Sequence, residues 1–149
     1  MKYIIRWLIR RLFNLIARVK VSGYEHLPPE GSFVIAANHL GIVDVPLAFY
    51  ALDRWDMFVM IGEKWQNVGL FRWVGKYFNF LFIDRFNPDI KALRRVISLM
   101  EENNILVIAP EGTRSYHGRL LRGQPGIVLV ALRSGAPILP IVPWGGEAF

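Results

Sequence analysis

Along this chain apolar positions follow two rhythms: a helical one over the first 20 residues and again near the middle, and short unbroken runs elsewhere. At about 100° per residue, "MKYIIRWLIRRLFNLIARVK" places Ile4, Leu8, Leu12, Leu15, Ile16 and Val19 on one face. Arg6, Arg10, Asn14 and Arg18 fall on the other, and Tyr3, Trp7 and Phe13 sit at the borders. The pattern predicts a basic amphipathic helix over residues 1–20, followed by a body over residues 21–149. The stretch "SGYEHLPPEGS", residues 22–32, is rich in glycine, proline and polar side chains and reads as the connection between them.

From Phe33 onward, strand-like runs ("FVIAA", "MFVMI", "FLFI", "ILVIA", "PILPIVP") alternate with helical patterns ("DVPLAFYAL", "PDIKALRRVISLMEE", "GIVLVALRS"). That alternation predicts an α/β fold, a mixed central sheet flanked by helices, preceded by the N-terminal helix. The strongest helix is "NPDIKALRRVISLMEENN", with Asn87 or Asp89 as a cap, Pro88 early, and Ile90, Leu93, Val96, Ile97 and Met100 at helical spacing.

Composition sharpens this picture. A chain of 149 residues is one domain's worth, and the absence of cysteine excludes disulfides, thiolate metal sites and cysteine nucleophiles. A hydrophobic content of 53% with net charge +6 and a mean hydropathy of +0.29 is apolar and basic at once, which points to an anionic membrane surface. Nucleic acid is the competing partner for a basic protein, but here the cations interleave with bulky apolar residues, so no nucleic-acid partner is expected.

For the N-terminal segment, arginines interrupt every apolar run well short of the roughly 18 residues a spanning helix needs. No signal-peptide core or cleavage site is present either, so the segment is expected to stay on the mature protein. It reads as a helix lying in a membrane interface. The alternative is that the apolar stripe packs on the body and the arginines form a solvated face.

The candidate chemistry begins in "VIAANHLGIVDVP", where a strand-like run leads into Asn38, His39 and, five residues past the histidine, Asp44. An imidazole can take a proton from a hydroxyl near neutral pH, and a carboxylate on its other ring nitrogen fixes the tautomer. On one continuous helix the two side chains would lie about 140° apart, so contact requires His39 on a loop, Asp44 near a helix start and a turn such as Gly41 allows. The alternatives are that Asp44 caps the following helix and that His39 is structural. No G-x-S-x-G elbow surrounds any serine, which leaves a base without a protein nucleophile and favours direct transfer to a substrate hydroxyl over hydrolysis. "GLFRWVGKY" misses phosphate-loop spacing, and His26 and His117 lack paired ligand spacing, so neither nucleotide hydrolysis nor a metal is expected.

Four segments in order resemble the membrane-associated glycerolipid acyltransferases of the 1-acylglycerol-3-phosphate acyltransferase type: "NHLGIVD", "FLFIDR", "EGTR" after strand "ILVIAP", and "PILPIVP". The resemblance implies His39 as general base, Asp44 as its orienting partner, and Arg85 with Glu111, Gly112, Thr113 and Arg114 as the site for the acceptor's phosphate. Guanidinium groups suit that task because they chelate phosphate bidentately. Lys64 is a further cationic candidate. The aromatic stretch of residues 65–82 offers apolar walls or lipid contact, with core packing as the alternative. After "EGTRS" the chain carries "LRGQPG", where only Gly126 matches the family's pattern, and it ends at Phe149 just past the fourth block. A truncated sequence with an unpaired sheet edge is therefore expected.

The implied function is acyl transfer from an acyl thioester, acyl-CoA or acyl carrier protein, to the hydroxyl of lysophosphatidate, giving phosphatidate in phospholipid biosynthesis. The implied location is the cytoplasmic face of a membrane, with no bound cofactor. Another acceptor, glycerol-3-phosphate or another lysolipid, is the near alternative; a catalytically silent membrane-binding protein is the distant one.

Overall fold

The computed structural model describes residues 2–39, 43–52, 54–84, 90–115, 117 and 119–145. Helix α1 (Lys2–Ile16) leads to strand β1 (Val34–Ala37), helix α2 (Asp44–Ala51) and strand β2 (Met57–Gly62). Helix α3 (Gly69–Phe78), strand β3 (Phe80–Ile83), helix α4 (Ile90–Glu101), strand β4 (Ile105–Ile108), helix α5 (Gly126–Ser134) and strand β5 (Ile138–Ile141) follow. The strands form one sheet in the order β3-β2-β4-β1-β5. The α/β class and the leading helix are as the pattern predicts. The sheet expected as mixed is parallel in every described pairing, with Ile35 opposite both Val107 and Leu139. A helix separates each strand from the next in sequence, and such crossovers return the chain in the same direction.

Side chains alternate across the sheet and build two cores. Ile35, Met57, Val59, Ile61, Ile105 and Val107 point to one side, where residues of α1, α2 and α3 cover them. Val34, Phe58 and Leu106 point to the other, under Val96 and Met100 of α4 and Ile127 and Val130 of α5. Burial on both faces explains why the inner strands β1, β2 and β4 read as unbroken apolar runs. On α4 the buried line is Ala92, Val96 and Met100, while Ile90, counted with that face from its spacing, is exposed. The proposed caps Asn87 and Asp89 and the early Pro88 lie outside the described residues, as does Gly41.

The segment "GLFRWVGKY" is helical from Gly69, so both its glycines lie in helix α3 and not in a loop. Gly75 has another use: a Cβ there would come within 3.1 Å of the Phe80 ring, and its absence lets α3 lie close on β3. Asn79, at φ 50°, turns the chain between them and donates its side-chain amide to the Met57 carbonyl at 3.3 Å.

The N-terminal helix is shorter than the expected twenty residues, and its orientation settles which face meets the body. Phe13 is buried and Ile5 and Ile9 pack on the first core, whereas Ile4, Leu8, Leu12 and Leu15 are exposed, Leu15 to 84%. Arg6, placed on the polar face by periodicity, is only 6% exposed, with its guanidinium 5.6 Å from the Trp55 ring centre. Burial, then the charge of Arg10, pushes its pKa below the ordinary arginine value. Among the described residues the body takes the strip beside the apolar stripe. No helix among the described residues is long and apolar enough to cross a membrane.

Candidate active site

In a parallel sheet every strand delivers its following loop to the same edge, and functional groups collect there. Here β1 delivers Asn38 and His39, β2 delivers Lys64, β3 delivers Asp84, and β4 delivers Glu111 and the turn after it. Arg85 lies outside the described residues.

His39 Nδ1 and Asp44 Oδ2 are 2.8 Å apart, with the side chains 23% and 8% exposed. The contact arises as the spacing requires: His39 follows the strand end and Asp44 is the first residue of α2. Val43 occupies the N-cap position, and no side chain caps the helix there. The capping alternative for Asp44 therefore gives way to an ion-pair geometry. A carboxylate at Nδ1 stabilises the tautomer with the proton on that nitrogen, which leaves Nε2 as the proton acceptor.

The backbone of His39 is held as firmly as its ring. Its N–H donates to Glu111 Oε1 at 3.3 Å, and its carbonyl accepts from the Ser115 N–H at 3.0 Å. The other Glu111 oxygen, Oε2, accepts from the Leu121 N–H at 2.8 Å. Glu111 is 6% exposed, so its carboxylate spends both oxygens on backbone donors in a desolvated setting, where such bonds are strong. Glu111, which the resemblance places among the acceptor's ligands, ties three segments together: the His39 loop, the turn after β4 and the stretch before α5.

That turn is set by Gly112. Its N–H closes on the Ala109 carbonyl at 3.0 Å, and its φ of +69° is a conformation that side chains disfavour. A Cβ there would meet only ordinary contact at 3.6 Å from Gln124, so conformation, not space, selects glycine. Gln124 N–H in turn reaches the Pro110 carbonyl at 2.8 Å. Thr113 is exposed and Arg114 half-buried on this turn. Ser115 is the participant that sequence reasoning passed over: it is buried, its N–H holds His39, and its hydroxyl donates to the Arg119 carbonyl. No side-chain signal announces a residue whose contribution is a main-chain donor.

The arrangement is thus an imidazole with a carboxylate at one ring nitrogen, on a backbone fixed by a buried acid, beside a turn that carries an arginine. It can remove a proton from a bound hydroxyl.

Comparison with known proteins agrees with this architecture. The sequence model of the acyltransferase family matches residues 18–144. A 1-acyl-sn-glycerol-3-phosphate acyltransferase of Bacillus subtilis is 31% identical over 136 residues, covering 89% of this chain and 65% of that protein. A putative enzyme of the same name from Caenorhabditis elegans is 34% identical over 127 residues, 82% of this chain and 44% of that one. The crystal structure of the Thermotoga maritima 1-acyl-sn-glycerophosphate acyltransferase PlsC superposes with a TM-score of 0.79 at 26% identity, covering 98% of this chain and 58% of that one. The chain spans 44% to 65% of the length of these relatives. With a family match over most of its length and the same fold, the chain belongs to the acyltransferase family.

Proposed function

We propose that this chain transfers a fatty acyl group from an acyl thioester to the free hydroxyl of lysophosphatidate, giving phosphatidate and a free thiol. The observation that carries the proposal is the 2.8 Å contact of His39 with Asp44 on a backbone anchored by Glu111. The names of the similar proteins point to the same acceptor.

His39 Nε2 takes the proton of the acceptor hydroxyl as its oxygen attacks the thioester carbonyl. The tetrahedral intermediate then collapses with cleavage of the carbon–sulfur bond, and the imidazolium returns the proton to the departing thiolate. Asp44 holds the ring and stabilises the imidazolium between the two steps. Arg114, with Arg85, binds the acceptor's phosphate. Acyl-CoA and acyl carrier protein thioesters both fit as donors, because the chemistry involves only the shared thioester.

The exposed stripe of Ile4, Leu8, Leu12 and Leu15 supports a membrane-lying α1, which would bring the active site to a lipid acceptor. The test is acyl-thioester-dependent conversion of lysophosphatidate to phosphatidate by the chain and by His39→Ala. Removing a general base costs about 10²- to 10⁴-fold in rate. Equal turnover by the two proteins would refute the assignment, and turnover with glycerol-3-phosphate in place of lysophosphatidate would redirect it.

A further inference from the structure

The aromatic stretch of residues 65–82 separates into two sets. On α3, Phe71, Val74, Tyr77 and Phe78 pack into the first core. Leu70 and Trp73 face outward, 65% and 53% exposed, and Val68 just before the helix is also exposed. Arg72 and Lys76 share the outward side. The Trp73 ring meets that of Tyr77 edge to face at 5.2 Å, so the exposed indole is braced.

Single exposed apolar side chains are ordinary. Three within six residues, flanked by Lys64, Arg72 and Lys76 with no acidic residue between Glu63 and Asp84, are not an ordinary solvated face. Helix α4 supplies the contrast, because its exposed side mixes Lys91, Arg94 and Arg95 with Glu101, and Glu102 follows directly after it. Two placements add to this. Helix α3 lies on the same side of the sheet as α1, both packing into the first core. It also starts a few residues after the carboxyl end of β2, the edge of the sheet that holds His39.

We propose that the outward face of α3 is a second membrane contact, taking an anionic lipid surface with Val68, Leu70 and Trp73 at the apolar boundary and Lys64, Arg72 and Lys76 against the headgroups. Two helices on one side of the sheet would fix the protein's orientation, where a single helix leaves it free to rotate about its own axis. Tryptophan suits the boundary because its ring is apolar and its N–H stays wet. The proposal shares the lipid surface with the reading of α1 but not the element, so the two fail separately.

The chain contains no cysteine, so Leu70→Cys carries a single nitrobenzoxadiazole label at an exposed position. Matched labels at Leu8→Cys on α1 and Arg94→Cys on α4 complete the set. With vesicles of phosphatidylcholine and phosphatidylglycerol, the labels at 70 and 8 should shift to the blue and become protected from an aqueous quencher, and the label at 94 should not. In the unlabelled chain, Arg72→Gln and Lys76→Gln should each weaken binding to these vesicles about fivefold and leave binding to pure phosphatidylcholine unchanged. A response at 8 without one at 70 overturns the α3 contact and leaves α1 standing; silence at both overturns both. A response at 70 that appears without vesicles as protein concentration rises means a second copy covers the face, which also overturns it.

Discussion

The two ends of the sheet use carboxylates in different ways. At the amino end, Asp56 accepts from Arg54 Nε at 3.0 and 3.1 Å, and the same guanidinium donates to the carbonyls of Pro29 and Gly31 at 3.3 Å each. Everything in that cluster is directed at holding the chain before β1 against the chain before β2. At the carboxyl end the work is divided between two acids. Glu111 takes the backbone, and Asp44 is left to serve one ring nitrogen of His39. The Arg54–Asp56 pair is a closed structural contact, since an arginine stays protonated at any working pH. His39–Asp44 is a nitrogen–carboxylate contact of similar length, but an imidazole carries a second ring nitrogen that can exchange a proton. Geometry alone does not separate a structural contact of this kind from a reactive one; the acid–base range of the nitrogen group does.

The sharpest way to break that contrast is to neutralise each aspartate in turn. Asp44→Asn should lower turnover about 10²-fold or more, because the imidazole loses both its tautomer and the stabilisation of its protonated form. Asp56→Asn should leave turnover unchanged while lowering the melting temperature slightly. Acyl-transfer assays beside thermal denaturation of both variants measure this, and equal losses of turnover would mean that the carboxyl end, too, is only scaffold.

Glu111 sharpens the division of labour. In Glu111→Gln one amide oxygen can still accept an N–H, but the amide NH₂ faces the other donor. A hydrogen bond to a charged group contributes about 1.5–3 kcal/mol, so kcat should fall about 10- to 100-fold as His39 loses its position, with KM for the acceptor little changed. Glu111→Asp keeps the charge and should recover part of the loss. A raised acceptor KM at unchanged kcat would return Glu111 to the phosphate site that resemblance implied.

These residues also mark where the sequence was readable. The His39–Asp44 pair was visible because its spacing admits contact in only one arrangement, strand end then helix start, and the surrounding runs supply that arrangement. The inner strands β1, β2 and β4 were visible because burial on both faces leaves no polar positions to confuse the pattern. The role of Glu111 was not visible, because its partners are the main-chain N–H groups of residues 72 and 10 positions away, and every residue but proline carries that group. The orientation of α1 was half visible. Periodicity separated Leu8 from Arg10, but which strip the body would take, Arg6 and Phe13 included, depends on the shape of α2 and Trp55.

Arg114 tests the remaining part of the carboxyl end. If Glu111 is spent on backbone, phosphate affinity rests on cations, and Arg114→Ala should raise KM about tenfold for phosphate-bearing acceptors. A phosphate-free monoacylglycerol should be much less affected, and an equal effect on both acceptors would remove Arg114 from the phosphate site.

The smallest expected effect belongs to the amino end. The hydrogen bond from Arg54, the largest influence on it, holds the Asp56 carboxyl below its ordinary pKa of 3.8, and the same bond raises Arg54. A carboxyl whose folded pKa is depressed contributes stability that is fully present above the ordinary value and is lost as pH falls through the lowered one. Part of the acid limb of the stability curve therefore belongs to this pair, and Asp56→Asn should flatten that limb below pH 3.8 while changing little at neutrality. Because the pair is partly open to solvent, with side chains 25% and 36% exposed, the contribution should stay under about 1 kcal/mol. Melting temperatures of the two proteins across the acid range measure it. Parallel acid limbs would show that Arg54 holds the 29–31 segment through its carbonyl contacts alone, and that the amino end owes its rigidity to backbone acceptors and not to charge.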